Sequence, residues 1–305
     1  MHKQQLACCW DQLMMRKFSS LKIGCFALAT ALSYPLFAAP PVFEAKIIAQ
    51  YPSADAYQAI AVDGSHFYAI NNTRITKHDK QTGAAKGSWG GVSGVIAGLM
   101  HLDSGVVVDG KLYAAHSNYP LWPMKSSIEV WDAEAMEHID SHDYGVLLGS
   151  MTWIDRFDES WWGTFGNYDR VQTGADHPYG GTSNTVIVKL GQDFSVLQQW
   201  ALPEEILARM TPMSNSGGSW GADGFLYLTG HNYPEIYVMQ IPATGSILDW
   251  VATVVVPGLD GQGIAWDRTT SARELWAILR NDRQVLKIQM PELPLTAASQ
   301  VPAQR

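Results

Sequence analysis

Cysteine is almost missing from this chain, and its placement excludes much chemistry. The three cysteines, Cys8, Cys9 and Cys25, all fall in the first 38 residues, which read as a leader. The rest of the chain has no thiol, so disulfides, zinc–cysteine centres and cysteine nucleophiles are ruled out there. Long apolar runs are missing too: after the leader none approaches the ~20 residues that a membrane-spanning helix needs. No GxSxG, HExxH, Walker loop or calcium-loop pattern occurs. Positive charge is scarce, with 21 Lys+Arg against 29 Asp+Glu and a formal net charge of −8. Lys3, Arg16, Lys17 and Lys22 against Asp11 give the leader +3, so removing it takes −8 to −11. So acidic a chain is a poor partner for nucleic acid or an anionic membrane surface.

What is present begins with the leader itself. Arg16, Lys17 and Lys22 form a basic region, Ile23 to Leu36 is largely apolar, and small residues follow at Ala38 and Ala39. That order is the pattern of a secretory signal, with Met15 as an alternative start and a buried N-terminal helix as the competing reading. The expected organisation is a signal peptide at 1–38, one β domain at 39–292 and a tail at 293–305, exported to the periplasm or beyond. A monomer is expected.

The domain repeats. A strand ending in Asp, a turn, an aromatic strand, a polar loop, a third strand, a turn and a fourth strand recur. The marker residues are Asp63, Asp109, Asp155, Asp223 and Asp267, at spacings of 46, 46, 68 and 44. Four strands per period of this length describe propeller blades. The last repeat lacks its closing strand, and VFEAKIIAQYP (42–52) has no repeat ahead of it. The expected fold is therefore all-β: a five-blade β-propeller closed by the N-terminal strand, which would hide a sheet edge. The alternatives are further blades hidden in the long third period, which holds VQTGADHPYGGTS (171–183) and a helix-like PEEILARM (203–210), or another all-β fold. Asp63-Gly64, Asp109-Gly110 and Asp223-Gly224 suit tight hairpins with positive φ. Trp131, Trp153, Trp200, Trp250, Trp266 and Trp276 are expected to pack between blades.

Strand parity puts the Asp-Gly turns on one face and the polar loops on the other. Those loops read NNTR, HSNYP, GNYDR, HNYP and RNDR, each with an asparagine: Asn72, Asn118, Asn167, Asn232 and Asn281. Repeated asparagines close local turns, which is the plain reading. The neighbours His116, Tyr119, Tyr168, Arg170, His231, Tyr233, Arg280 and Arg283 are not required by turns, and Arg74 joins them. Gln58, Ser104, Ser150 and Gln262 each lie five residues before a marker Asp and should enter the channel at one level.

Three readings of this rim follow. His116 or His231, with Tyr119 or Tyr233, would move a proton. Arg74, Arg170, Arg280 or Arg283, helped by Asn118, Asn232, Gln58 and Gln262, would hold a carboxylate. No cofactor is expected; a divalent metal on His101, His116 and His231 is the alternative to a hydrogen-bonding role. A glycosidase pair drawn from Asp55, Asp103 or Asp260 is a third.

The blade motifs QAIAVDG, HNYP and GQGIAWDR resemble those of secreted bacterial β-propeller proteins of the cycloisomerase- and lactonase-like type, over roughly residues 42–290. The resemblance implies a small carboxylated ligand over the channel, and it assigns no catalytic residue. The expected function is an enzyme on a small carboxylated or sugar-derived substrate: a cycloisomerase, lactonase or uronate lyase. The alternative is a non-catalytic module in which Trp122 and the tyrosines bind a glycan or peptide.

Overall fold

The computed structural model describes residues 39–90, 98–146, 148–178 and 180–294. The leader (1–38), and the tail from residue 295 on, lie outside the described residues. Contacts divide the chain into Met1–Ala39 and Pro40–Arg305, and the second unit is described below. No helix among the described residues is long and apolar enough to cross a membrane.

The chain opens with β1 (Val42–Glu44) and β2 (Lys46–Pro52). Four sheets in order follow. The first holds β3 (Ala59–Val62), β4 (His66–Asn71), β5 (Arg74–Asp79) and β6 (Ala85–Gly90). The second holds β7 (Leu102–Val108), β8 (Lys111–Ser117), β9 (Ser126–Asp132) and β10 (Glu137–Gly145). The third holds β11 (Ser150–Phe157), β12 (Ser160–Gly166), β13 (Val186–Leu190) and β14 (Val196–Ala201). The fourth holds β15 (Gly217–Trp220), β16 (Leu226–Thr229), β17 (Glu235–Gln240) and β18 (Asp249–Val255). The fifth holds β19 (Ala265–Trp266), β20 (Glu274–Leu279) and β21 (Gln284–Gln289), with β2 as its fourth strand. This is a five-blade β-propeller.

Burial explains why the middle strands carry no alternation. Blades stack face to face, so β4, β9 and β17 are buried on both sides, whereas the outer β2 alternates half-buried and exposed. The aromatics fill the gaps between blades. Trp153 and Trp162 of the third blade share a cluster with Trp220 and Tyr237 of the fourth. Trp220 meets Trp162 edge-on at 4.7 Å and stacks on Phe157 at 4.8 Å.

Two expectations change, and the expected count of five blades stands. The strand foreseen at 42–52 is two strands broken at Ala45. Only β2 pairs with β21; β1 runs parallel to β18 in the fourth blade. The long third period holds no further blade among the described residues, only the 3-10 turn Thr182–Asn184 and the helix α1 (Glu204–Met210). Of the Asp-Gly turns, only Asp109-Gly110 has positive φ at both residues (49° and 74°). Asp63 instead caps the backbone N–H of Ser65 and His66 at 2.7 Å. Asp158-Glu159 makes a two-residue hairpin turn of the same kind, at 46° and 58°, with no glycine.

At the end of the channel where the inner strands finish, Arg268 of the fifth blade reaches two blades back. Its guanidinium donates to Asp155 Oδ1 at 2.6 Å and Oδ2 at 2.8 Å, and to the Trp220 carbonyl at 2.6 Å. Ser219 Oγ and the Trp220 N–H complete the shell of a carboxylate only 2% exposed. Arg268→Ala strands that carboxylate in the interior and is expected to cost about 3 kcal/mol or more. Arg209→Ala, at the more exposed Arg209–Glu235 pair, should cost no more than about 1 kcal/mol. Urea unfolding of the two variants checks this, and equal midpoints would count against a buried clasp.

Candidate functional site

The opposite end of the ring is narrow because its strands touch. A Cβ on Gly263 would run into Ala59 and Ser104, so only glycine fits. Gly263 N–H donates to the Gln58 carbonyl at 2.9 Å, and Ser104 Oγ to the Ile264 carbonyl at 3.2 Å. These bonds fix the two glutamines that precede β3 and β19.

Each glutamine holds a histidine. The Gln58 amide Nε2 donates to Asn72 Oδ1 at 2.5 Å and faces His101 Nδ1 at 3.4 Å. The Gln262 amide Nε2 donates to His231 Nδ1 at 3.0 Å. Both Nδ1 atoms are thereby acceptors, and the ring proton sits on Nε2. Gln262 is held there at a cost. It has φ +75° next to Gly261 at +79°, and its Oε1 is buried without a hydrogen-bond partner among the described residues. A Cβ on Gly261 would strike the Gly230 carbonyl, so this backbone turn needs glycine.

His101 Nε2 lies 3.5 Å from Asp103 Oδ2. The His101 ring packs against Tyr119 at 5.3 Å, and Tyr119 against the buried Tyr168 at 4.9 Å. On the far side Arg280 and Arg283 place their guanidinium carbons 3.8 Å and 4.1 Å from the centre of the Tyr57 ring. No carboxylate forms a salt bridge with either arginine among the described residues.

Burial dominates the electrostatics. It drives His101 down to about 4, helped by the charges of His116, Arg280 and His231. It drives His231 down to about 4 as well, with Arg280 and Arg170 adding to the effect. Asp103 is pushed well above the carboxylate range by burial, against an opposing pull from Arg280. Asp260 is raised by burial, while N–H groups of Arg280 and Asn281 oppose the shift. Near neutral pH the site therefore holds two uncharged imidazoles, a buried carboxyl whose ionisation burial opposes, and Arg280 as a fixed cation acting on all three.

The other residues foreseen at the rim are placed differently. His116 has both ring nitrogens engaged: Nδ1 with Ser127 Oγ at 2.8 Å, Nε2 with the Met100 N–H at 3.3 Å. Asn118 ties its own loop through the Pro123 carbonyl and the Lys125 N–H. Asn232 ties the carbonyls of Arg209 and Thr211. Arg74 is paired with Asp55 at 3.1 Å, and Arg170 reaches Met213 Sδ at 3.2 Å. Tyr233 is exposed beside Arg209. No group of three His, Cys, Asp or Glu that could hold a metal ion occurs among the described residues.

The sequence pattern offers His101 and Asp103 only as a metal ligand and as half of a carboxylate pair, and it gives no sign of Tyr57. All three lie just before or at the start of inner strands, outside the loops that carried the visible pattern. The signal that could have found them is position: Gln58 and His101 precede their marker Asp by five and eight residues.

No protein-family model matches the chain, and no curated protein matches it. Among solved structures it is similar to the PQQ-bound form of an aldose sugar dehydrogenase from Streptomyces coelicolor. The two are 16% identical, the alignment covers 86% of this chain and 85% of that one, and the TM-score is 0.47.

Proposed function

We propose that this chain is an exported enzyme moving a proton on a small carboxylated or sugar-derived substrate at the His–Arg end of its channel. Cycloisomerase, lactonase and uronate lyase chemistry all fit that description, as does kinship with the propellers its blade motifs resemble. The observation that carries the reading is the convergence of the His101–Asp103 pair and the Gln262-held His231 on the charge of Arg280. Turn-forming or packing roles do not call for two amide-oriented neutral imidazoles beside a buried carboxyl and an arginine without a salt bridge. Arg280, with Arg283, would take the substrate carboxylate in a bidentate grip. His231, carrying its proton on Nε2, would act as the donor toward the charge that develops.

A screen of the purified protein against lactones, muconate-like diacids and unsaturated uronides tests this. Turnover in one class is expected, and Arg280→Ala should raise KM more than it lowers kcat. A second reading, a glycan- or peptide-binding module, is favoured by one observation: Leu121, Trp122, Val171 and Tyr233 are exposed on loops at this end. Glycan or peptide binding with turnover of no small molecule would replace the first reading by the second.

A further inference from the structure

The rim holds one ionisable group that its histidines do not duplicate. Tyr57 lies on the connection between β2 and β3, half-buried, with two guanidinium groups against its ring. At 3.8 and 4.1 Å from the ring centre both guanidinium groups are in cation–π range of the Tyr57 ring. Ionising a phenol adds electron density to the ring. Both face contacts then strengthen, and both positive charges favour the anion.

We propose that Tyr57 is the proton-accepting residue of this site, its phenolate stabilised by Arg280 and Arg283 against its ring. The inference rests on the enzyme reading above and adds the base that reading lacks. Imidazoles held near 4 are weak bases at neutral pH, and Asp103 is fully buried, its ionisation opposed by burial. In the step proposed, the Tyr57 oxygen forms an O–H bond as a C–H bond next to the substrate carboxylate breaks. The electron pair passes into the carboxylate gripped by Arg280 and is met by the His231 N–H. The electron pair then returns to form a new C–H bond with the proton from the phenol, or expels a β-substituent that takes that proton, and the phenolate is restored.

The charges around the phenol fit this role. Arg280, through a hydrogen bond and its charge, lowers the Tyr57 pKa; burial opposes weakly and Arg283 adds to the lowering. Asp55, on the same connection, is engaged by Arg74, Thr76 and Asn71. Asp260 faces the backbone N–H of Arg280. Burial pushes the opposite way at Tyr68, Tyr113, Tyr144, Tyr168, Tyr227 and Tyr237, which sets those six apart from Tyr57 in a titration.

Ultraviolet difference titration of the intact protein reads the phenolate directly and needs no substrate. The earliest tyrosine ionisation should fall below the usual ~10, vanish in Tyr57→Phe, and move to higher pH in Arg283→Ala. With a substrate from the screen, Tyr57→Phe should lower kcat about a hundredfold or more with KM little changed. An earliest step that survives Tyr57→Phe overturns the proposal and leaves the enzyme reading standing. So does a Tyr57→Phe variant with wild-type kcat. A screen without turnover removes both, even where Tyr57 ionises early.

Discussion

His231→Ala is expected to lower turnover of a carboxylated substrate by about a hundredfold or more, the usual effect of losing a positioned proton donor. Stability at pH 7 should change by about 1 kcal/mol, because the loss is one ring and one amide contact in a loop. The two effects separate chemistry from folding. The pH dependence separates them again. The folded-state pKa of His231 is about 4, against an unfolded value of 6.5. Between those values the unfolded chain binds the extra proton and the folded chain does not. The stability contributed by burying a neutral ring is therefore complete above pH 6.5 and fades as pH falls toward about 4. His101 follows the same sign and the same window. Asp103, raised by burial, has the opposite sign and costs stability as pH rises above the usual carboxylate value. Unfolding midpoints at pH 7 and pH 5 should draw closer in His231→Ala than in the parent. A variant that keeps wild-type turnover would reduce His231 to a loop-ordering residue.

The first four blades were legible in the sequence because each is a local object, whereas the fifth borrows β2 from the start of the domain. Four strands and their turns lie within one period, so marker aspartates and aromatic strands report them directly. The site was only half legible, and the reason is geometric. Its parts come from the connections of different blades, and no spacing between Gln58, His101, His231 and Arg280 encodes their meeting. The asparagines formed the clearest pattern and proved to be loop ties in Asn118, Asn167 and Asn232. His116 stood in the same kind of loop as His231. Its parity on β8, opposite Ser127, turns it into the blade, while His231 stays beyond the end of β16. The marker Asp155 looked like a turn former. Its partner Arg268 lies 113 residues away, a distance at which sequence carries no local signal. The break at Ala45 was illegible for a related reason: the alternation of 42–52 fits one strand, and only the free edge of β18 accounts for the parallel pairing of β1.

That break shapes the second large effect. A chain starting at Ser53 should fail to give a soluble, folded protein. β2 contributes six register pairs to β21, from Lys46 with Gln289 to Pro52 with Gln284. β1 contributes three more to β18, and the Ala45 N–H donates to the Val255 carbonyl at 3.0 Å. Without these strands β18 and β21 both present unpaired edges, each flanked by apolar surface, and such edges pair with other chains. The core loses contacts as well. Ala45 is buried in the cluster shared by the fourth and fifth blades, and Phe43 and Ile47 pack against it. One segment thus serves two blades, so two narrower changes can divide its contribution. Phe43→Asp disturbs the β1 side and Ile47→Asp the β2 side, and each introduces a charge beside packed apolar groups. Both should lower the thermal midpoint, with Ile47→Asp the more damaging because its ladder is twice as long. A chain beginning at Ser53 that remained monodisperse with an unchanged midpoint would show that the fifth blade does not depend on β2.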